Sequence, residues 1–429
     1  MADLMTRHER PSTLSERYRA VRAQTEFLAD PLSAEDQTVQ SMADVSPTKW
    51  HRAHTSWFFE TFLLEEGLAG YRPYHPGYRY LFNSYYEAVG ARHPRPNRGV
   101  ISRPGIGEVA AYRAHVDRAM DQLLGGALDQ RSAWLVELGL HHEQQHQELM
   151  LMDAKHVLSC NPLLPIYRPA PAPVSSGSAP PESPAEAKRR WVEHPGGLVE
   201  IGHDGSGFAF DNEGPRHTVA LQAFAISPDL VTCGEWAGFV ADGGYERPEL
   251  WLSDGWATVQ SADWQAPLYW SRDGTVWQVF TLHGPRPVDP GEPVVHVSYY
   301  EADAFARWAG ARLPTEAEWE ASRERTDDGA GGRWLEAGDA GAVLHPRPGA
   351  QGLMGEVWQW TSSAYSPYPG FHPAPGAVGE YNGKFMVNQM VLRGGCCVTP
   401  AGHMRPSYRN FYSPASRWAF SGLRLAVDA

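Results

Sequence analysis

The sequence predicts a two-domain protein, an all-α N-terminal domain followed by an α+β C-terminal domain. Three observations carry that prediction. The 429-residue length exceeds that of a typical single domain. Helix-forming segments fill residues 1–165, whereas short β-like runs separated by Gly, Pro and Asp turns fill residues 191–429. Between them, residues 166–190 are dominated by Pro, Ala and Ser and lose apolar periodicity, the mark of an extended linker or strap.

In chain order, helices are predicted near 13–29, 47–67, 107–126 and 132–158, with Pro, Gly and Asn clusters between them. Leu123-Leu124-Gly125-Gly126 closes the third, and the fourth opens near Gln130. Four long helices with polar connections describe a bundle, and bundle cores commonly house metal sites on facing helices. In the C-terminal part, His217–Leu221 and Pro293–Val297 read as strands, and 232–242 and 299–309 as helices. No internal repeat is present.

Composition narrows the function classes. Hydrophobic residues make up 42% and charged residues 20%, the balance of a globular protein. The 16 Trp, 18 Tyr and 15 Phe supply flat walls for a polar pocket. A formal net charge of −13 argues against nucleic acid or an anionic membrane as partner. No apolar run approaches a membrane span, and the charged first thirty residues contain no signal-peptide core. Cys160, Cys233, Cys396 and Cys397 form neither a disulfide framework nor a CxxC knuckle and are expected to be small buried core residues in a reducing cytoplasm.

The sharpest local signal is His141-His142-Glu143-Gln144-Gln145-His146-Gln147-Glu148. On a helix, His142 and His146 stand one turn apart on one face, the spacing that two ligands of one metal need. That face continues through Leu135, Leu138 and Leu149, so both imidazoles are predicted to point into the bundle interior, where unpartnered polar groups are costly. A third ligand has to come from a facing helix, and Trp50-His51-Arg52-Ala53-His54 offers two. His54 shares a stripe with Trp50, Trp57, Thr61 and Leu64; His51 shares one with Phe58 and Phe62. Periodicity leaves both open. Three neutral imidazoles with open coordination positions suit Fe(II), Zn(II) or Cu(II). The octet also contains H-E-x-x-H, the zinc-protease pattern, with Glu143 as its base. The metzincin continuation fails, because Leu149 and Met152 stand where Gly and a third His are required.

Four further motifs carry a family resemblance: R-L-P-T-E-A-E-W-E (Arg312 to Glu320), G-E-V-W-Q-W-T (Gly355 to Thr361), L-R-G-G (Leu392 to Gly395) and S-G-L-R-L-A (Ser421 to Ala426). In this order they resemble the signatures of the formylglycine-generating-enzyme (sulfatase-modifying factor) family, which implies a C-type-lectin-like fold for residues 191–429. The W-H-R-A-H and H-E-Q-Q-H-Q-E-L stretches resemble a DinB-like four-helix bundle. The two parts with their strap resemble, over nearly the whole chain, the hercynine oxygenases, the sulfoxide synthases of ergothioneine biosynthesis.

The resemblance implies Fe(II) held by His54, His142 and His146, which resolves the choice against His51. It implies small-molecule partners: O2, hercynine (Nα-trimethylhistidine) and a thiol, cysteine or γ-glutamylcysteine, joined at C2 of the imidazole with a sulfoxide left on sulfur. A quaternary ammonium accepts and donates no ordinary hydrogen bond, so aromatic faces should surround it. By family position, Asn410, Phe411 and Tyr381 are implied substrate contacts, Gln145 a partner of the substrate imidazole, and Arg92 and Arg95 a grip on the thiol substrate's carboxylate, which arginine suits by bidentate pairing.

The chain departs from better-known members at two places. Val378 replaces a second tyrosine that serves as catalytic acid near bound O2, and Tyr85 and Tyr86, on the bundle's long second loop, are the expected replacements. Tyr412 stands where relatives using γ-glutamylcysteine have an acidic residue facing the thiol substrate's amine, which favours free cysteine. Formylglycine generation is not expected, because it depends on family-specific cysteines that Cys396-Cys397 do not reproduce. A near neighbour within this reading is an ovothiol-type synthase joining cysteine to C5 of histidine. The rival classes are a zinc hydrolase, whose metal has no redox role, and a lectin-like binding module, which has no need of an open three-imidazole site.

Overall fold

The structure is a computed structural model that describes residues 13–171, 189–326, 332–349 and 352–429; most of the predicted strap, residues 172–188, lies outside them. By packing, the chain divides into two compact units, Met1–Ser84 with Val89–Met150, and Tyr85–Ala88 with Leu151–Ala429.

The first unit is helical. Helix α1 (Leu14–Ala29) opens on a capping box, in which Thr13 Oγ1 accepts from the Glu16 amide and Glu16 Oε2 accepts from the Thr13 amide. Helix α2 (Thr48–Phe59) is buried along its whole length and runs on through a π-helical turn, Glu60–Leu64. Helix α3 (Ile106–Leu124) ends at Gly125, and α4 (Gln130–Ser159) is the longest element. The four predicted helices are therefore present, and their facing sides are polar as well as apolar. Buried Glu60 accepts from the hydroxyls of Tyr71 and Tyr112, at 2.6 Å each, and so ties the π-helical turn to α3.

One glycine sets how closely α4 approaches α2. A Cβ on Gly139 would lie 2.5 Å from the ring of Phe59 and 3.1 Å from that of Phe58, so only glycine admits this spacing. Three residues later on α4 comes His142.

The second unit is α+β. Strands β1 (Val192–His194), β4 (Phe224–Leu230) and β12 (Arg424–Asp428) form an antiparallel sheet in the order β1-β4-β12. Strands β2 (Gly197–Ile201) and β3 (His217–Leu221) pair as a ribbon, as do β5 (Trp270–Asp273), β6 (Val276–Thr281) and β7 (Gly284–Pro287) as a meander. The fourth sheet runs β10 (Asn410–Tyr412), β9 (Met390–Arg393), β8 (Trp358–Ala364), β11 (Ser421–Gly422). Strand β10 is an edge strand, and its pleat sends Asn410 and Tyr412 to one face and Phe411 to the other. The helices include α5 (Cys233–Ala241), α6 (Ser253–Ala262), α7 (Tyr299–Trp308) and α8 (Glu316–Ala321).

The motifs of this unit are its internal ties. Glu316 pairs bidentately with Arg409 at 2.8 and 2.9 Å, fixing the residue just before β10. Glu318 grips Arg312 at 2.8 Å through both oxygens, and Glu320 pairs with the fully buried Arg393. Gly394, at φ +100°, has Gln359 Nε2 and Leu353 O each 2.7 Å from where a Cβ would be, so the L-R-G-G turn is a steric requirement. Trp319, Trp358 and Trp360 fill the core.

Three expectations are corrected here. Residues Pro293–Val297 are buried but not a strand: only Pro293 makes a bridge, and His296 sits at φ +65°, which no continuous ladder accommodates. Helices α6 and α8 were not anticipated, although Thr315 and Glu318 spell a capping box at the start of α8. Cys160 is exposed, whereas Cys233, Cys396 and Cys397 are buried free thiols. No helix among the described residues is long and apolar enough to cross a membrane.

Candidate metal centre

Helices α2 and α4 bring His54, His142 and His146 together. One ring nitrogen from each lies within 4.8 Å of the others, and this is the one group of three or more potential metal-ligating side chains so gathered among the described residues. The three residues are only 2%, 7% and 9% exposed.

Each ring has a different support. His54 lies between two indoles, stacked on Trp50 at 4.6 Å and on Trp57 at 5.5 Å, the i−4 and i+3 neighbours of its stripe. Its Nδ1 is 2.6 Å from the carbonyl oxygen of Phe82. A carbonyl can only accept, so Nδ1 carries the proton and Nε2 presents a lone pair. That Nε2 faces His142 Nε2 at 3.2 Å. His142 Nδ1 is buried with no hydrogen-bond partner. His146 has its Nδ1 2.8 Å from Nδ1 of His51.

The electrostatics keep all three neutral. Burial holds His54 well below the usual imidazole range, and neighbouring His142 and Arg98 lower it further against the Phe82 carbonyl. Burial brings His142 down to about 4. His146 is lowered by burial first, then by His142 and His54. Neutral imidazoles have free lone pairs at neutral pH, the form in which histidine binds metal.

Three buried imidazoles are a donor set that metal ions take, and the His54–His142 pair already has ligand spacing. Two nitrogens roughly 2.1 Å from one ion, at angles between ~90° and ~109°, lie about 3.0–3.4 Å apart, which brackets the 3.2 Å observed between His54 and His142. A cation seated there would take both Nε2 lone pairs with His142 protonated at Nδ1, the buried nitrogen that has no other partner. Three protein ligands also leave coordination positions open.

Glu143 does not belong to this centre. Its carboxylate is fully buried and accepts from Arg22 at 2.9 Å, Arg113 at 2.9 Å and Thr25 at 2.6 Å. Three of its roughly four lone-pair sites are committed to this cross-tie of α1, α3 and α4. Against the effect of burial, Arg22 and Arg113 bring its carboxyl down to about 2, which makes Glu143 a poor base for an H-E-x-x-H hydrolase.

The other residues singled out from the sequence fall into separate groups. Tyr85, Tyr381 and Phe411 join Phe385 and Tyr365 in one aromatic cluster: Tyr85 meets Phe385 at 5.0 Å and Tyr381 at 5.7 Å, and Tyr365 stacks on Phe411 at 4.1 Å. Phe385 and Phe411 lie 5.8 Å apart and nearly parallel. Phe385 was missed in the sequence; nothing but its proximity to Tyr381 marks it. Glu380 holds the Tyr85–Ala88 segment by accepting from the Glu87 and Ala88 amides at 3.0 and 2.9 Å, and Lys384 donates to the Tyr85 carbonyl.

Tyr86 is buried, and burial raises its phenol, with Tyr381, Glu380 and Asp211 adding to the effect. Asn410 Oδ1 accepts from the Phe411 amide at 2.9 Å, and Tyr412 turns its hydroxyl to Met152 Sδ at 3.8 Å and its ring edge to Trp418. Arg92 is exposed, Arg95 is half-buried and donates to the Asp44 carbonyl, and Gln145 is half-buried on α4.

Comparison with known proteins follows the same division. Residues 177–344 and 345–429 match the family described as the sulfatase-modifying factor enzyme 1-like domain. The hercynine oxygenase of Mycolicibacterium smegmatis is 35% identical over 419 residues, covering 90% of this chain and 91% of that protein. The hercynine oxygenase of Mycolicibacterium thermoresistibile is also 35% identical, covering 90% of this chain and 88% of its own. The formylglycine-generating enzyme of Streptomyces coelicolor is 33% identical, but it covers 61% of this chain.

Proposed function

The chain belongs to the hercynine oxygenase family, and from that premise we propose that it is a non-haem Fe(II)- and O2-dependent sulfoxide synthase. It joins cysteine, in preference to γ-glutamylcysteine, to C2 of the hercynine imidazole. The observation that carries this reading is the set of three neutral imidazoles, His54, His142 and His146, with ligand atoms within 4.8 Å of one another. The helical unit is read as a DinB-like four-helix bundle, whose facing helices supply those ligands.

Fe(II) bound there supplies a redox-active centre with open positions for the thiol and O2. The balance is complete without another oxidant: the C2–H and S–H bonds break, the C–S and S=O bonds form, and the second oxygen atom leaves as water. The chain's own residues orient the reactants and manage protons. The half-buried faces of Tyr85, Tyr381, Phe385 and Phe411 suit the trimethylammonium group, with Asn410 and Gln145 offering polar contacts to the rest of hercynine. Tyr86 remains a protonated phenol at neutral pH, as a proton donor in the oxygen chemistry requires. With Tyr85 it follows closely on Phe82, whose carbonyl orients His54. Arg92 and Arg95 grip the thiol substrate's carboxylate, and Tyr412 withholds the anionic partner that the γ-glutamyl amine would need.

The test is anaerobic Fe(II) loading followed by hercynine, cysteine and O2, with mass spectrometry for the sulfoxide. Oxygen uptake with sulfoxide formation is expected; no uptake overturns the reading. A higher kcat/KM for γ-glutamylcysteine than for cysteine overturns the role given to Tyr412. The Tyr85→Phe/Tyr86→Phe double variant should shift product from sulfoxide toward plain thiol oxidation. An unchanged ratio and rate sinks the tyrosine assignment.

A further inference from the structure

His51 is the histidine that sequence periodicity could not separate from His54 as a ligand, and the metal reading leaves it without a task. It is 2% exposed, beside Trp50 on α2, and its Nδ1 lies 2.8 Å from Nδ1 of His146. Two ring nitrogens at that distance share one proton, so one of the two donates. The three candidate ligands are therefore supported unequally: His54 by a carbonyl, His146 by a second imidazole, and His142 by nothing at Nδ1.

We infer that His51 is a positioning residue for the metal centre: it accepts the Nδ1 proton of His146, which turns the Nε2 lone pair of His146 toward the ion. The chemistry dictates the direction of this bond. A ring whose Nδ1 faces another ring at 2.8 Å can bind metal only through Nε2, and a neutral imidazole with a bare Nε2 carries its proton on Nδ1. His51 then presents its own Nδ1 lone pair and keeps its proton on Nε2. An outer partner of this kind fixes both the tautomer and the ring orientation of a ligand, and its loss typically weakens metal binding by about 10- to 100-fold. An apolar side chain there would leave the His146 Nδ1–H buried without an acceptor. This inference rests on the metal reading of His54, His142 and His146.

The experiment compares Fe(II) affinity of the full chain, by anaerobic equilibrium titration, for the wild type, His51→Leu, His51→Asn and His142→Ala. Leucine should weaken Fe(II) binding about 10- to 100-fold, while asparagine, which returns an acceptor oxygen near the Nδ1 position, should recover most of it. Equal affinity for wild type and His51→Leu, or equal losses for Leu and Asn, overturns the inference, since packing alone would then explain the result. If wild type and His142→Ala are alike in binding no Fe(II), the metal reading itself has failed, and the inference falls with it. A second readout needs no variant: in the Zn(II)-loaded wild type, ¹⁵N NMR should find His146 protonated at Nδ1. Protonation at Nε2 overturns the inference even where a variant fails to fold.

Discussion

Both units bury histidines away from water, and they use them in opposite ways. In the second unit, His296 is fully buried and both its nitrogens are occupied: Nδ1 donates to the Trp418 carbonyl at 3.2 Å, and Nε2 accepts from Lys155 Nζ at 2.7 Å. Nearby, His345 Nε2 lies 3.5 Å from Glu292, whose carboxylate is held bidentately by Arg286. Both nitrogens of His296 and Nε2 of His345 diverge onto different protein groups, while Nδ1 of His345 is buried without a hydrogen-bond partner. In the first unit, the nitrogens of His54, His142 and His146 converge. Neither burial nor a single unpartnered nitrogen separates the two groups; convergence of ring nitrogens from two helices does.

The largest expected effect tests that contrast directly. His142→Ala should lower Fe(II) affinity and sulfoxide formation by roughly 100-fold or more, beyond the loss of an outer-shell partner. His296→Ala should leave Fe(II) affinity unchanged and lower Tm. Equilibrium metal titration beside thermal unfolding decides it. A matching loss of Fe(II) affinity in His296→Ala would erase the distinction.

Next in size is Glu143→Gln. Removing one member of a buried network with Arg22 and Arg113 leaves uncompensated buried charge, which destabilises by about 3–5 kcal/mol. Urea unfolding should find a loss of that order. A general base would behave otherwise, losing rate while stability held, and that outcome would restore the hydrolase assignment.

Gly139→Ala should act more mildly, through distance. The added methyl meets Phe59 at 2.5 Å, and overpacking of this kind costs about 1–3 kcal/mol. Because α4 must move off α2, the 3.2 Å approach of His54 and His142 should widen, and Fe(II) affinity should fall with stability. Lower stability with unchanged Fe(II) affinity would show that the spacing is set elsewhere.

The sequence was legible where one face of one helix carried the signal. The His142/His146 spacing and the Trp50–His54–Trp57 stripe both appear in the structure as ring contacts. Partners brought in from distant segments were not legible. Nothing in the local pattern says that Glu143 will meet Arg22 and Arg113, or that Phe82 will offer His54 its carbonyl. The same reason hid the break at Pro293–Val297: an apolar run reads as a strand, but the left-handed backbone of His296 is imposed by packing around it. The T-x-x-E box of α8 was local and could have been read.

A last effect concerns pH and belongs to the second unit's histidines. Burial brings Lys155 down to about 7 from 10.5; Arg286 adds to this, while Cys397 and Glu292 oppose it. Between those values the unfolded chain binds the proton and the folded chain does not, so stability rises with pH from about 7 to 10.5, and that gain is lost progressively as pH falls from 10.5 back to about 7. Tyr269 and Phe420 face the same ammonium, at 4.8 and 5.1 Å from Nζ to the ring centres, and His296 is held neutral by burial. Lys155→Met removes the donor to His296 Nε2, a cost that is constant over this range because His296 does not titrate there. The difference in unfolding free energy between wild type and Lys155→Met, measured by urea denaturation across that window, should therefore slope upward with pH. Parallel curves would show that Lys155 stays charged in the folded chain, with His296 and the ring faces carrying the ammonium.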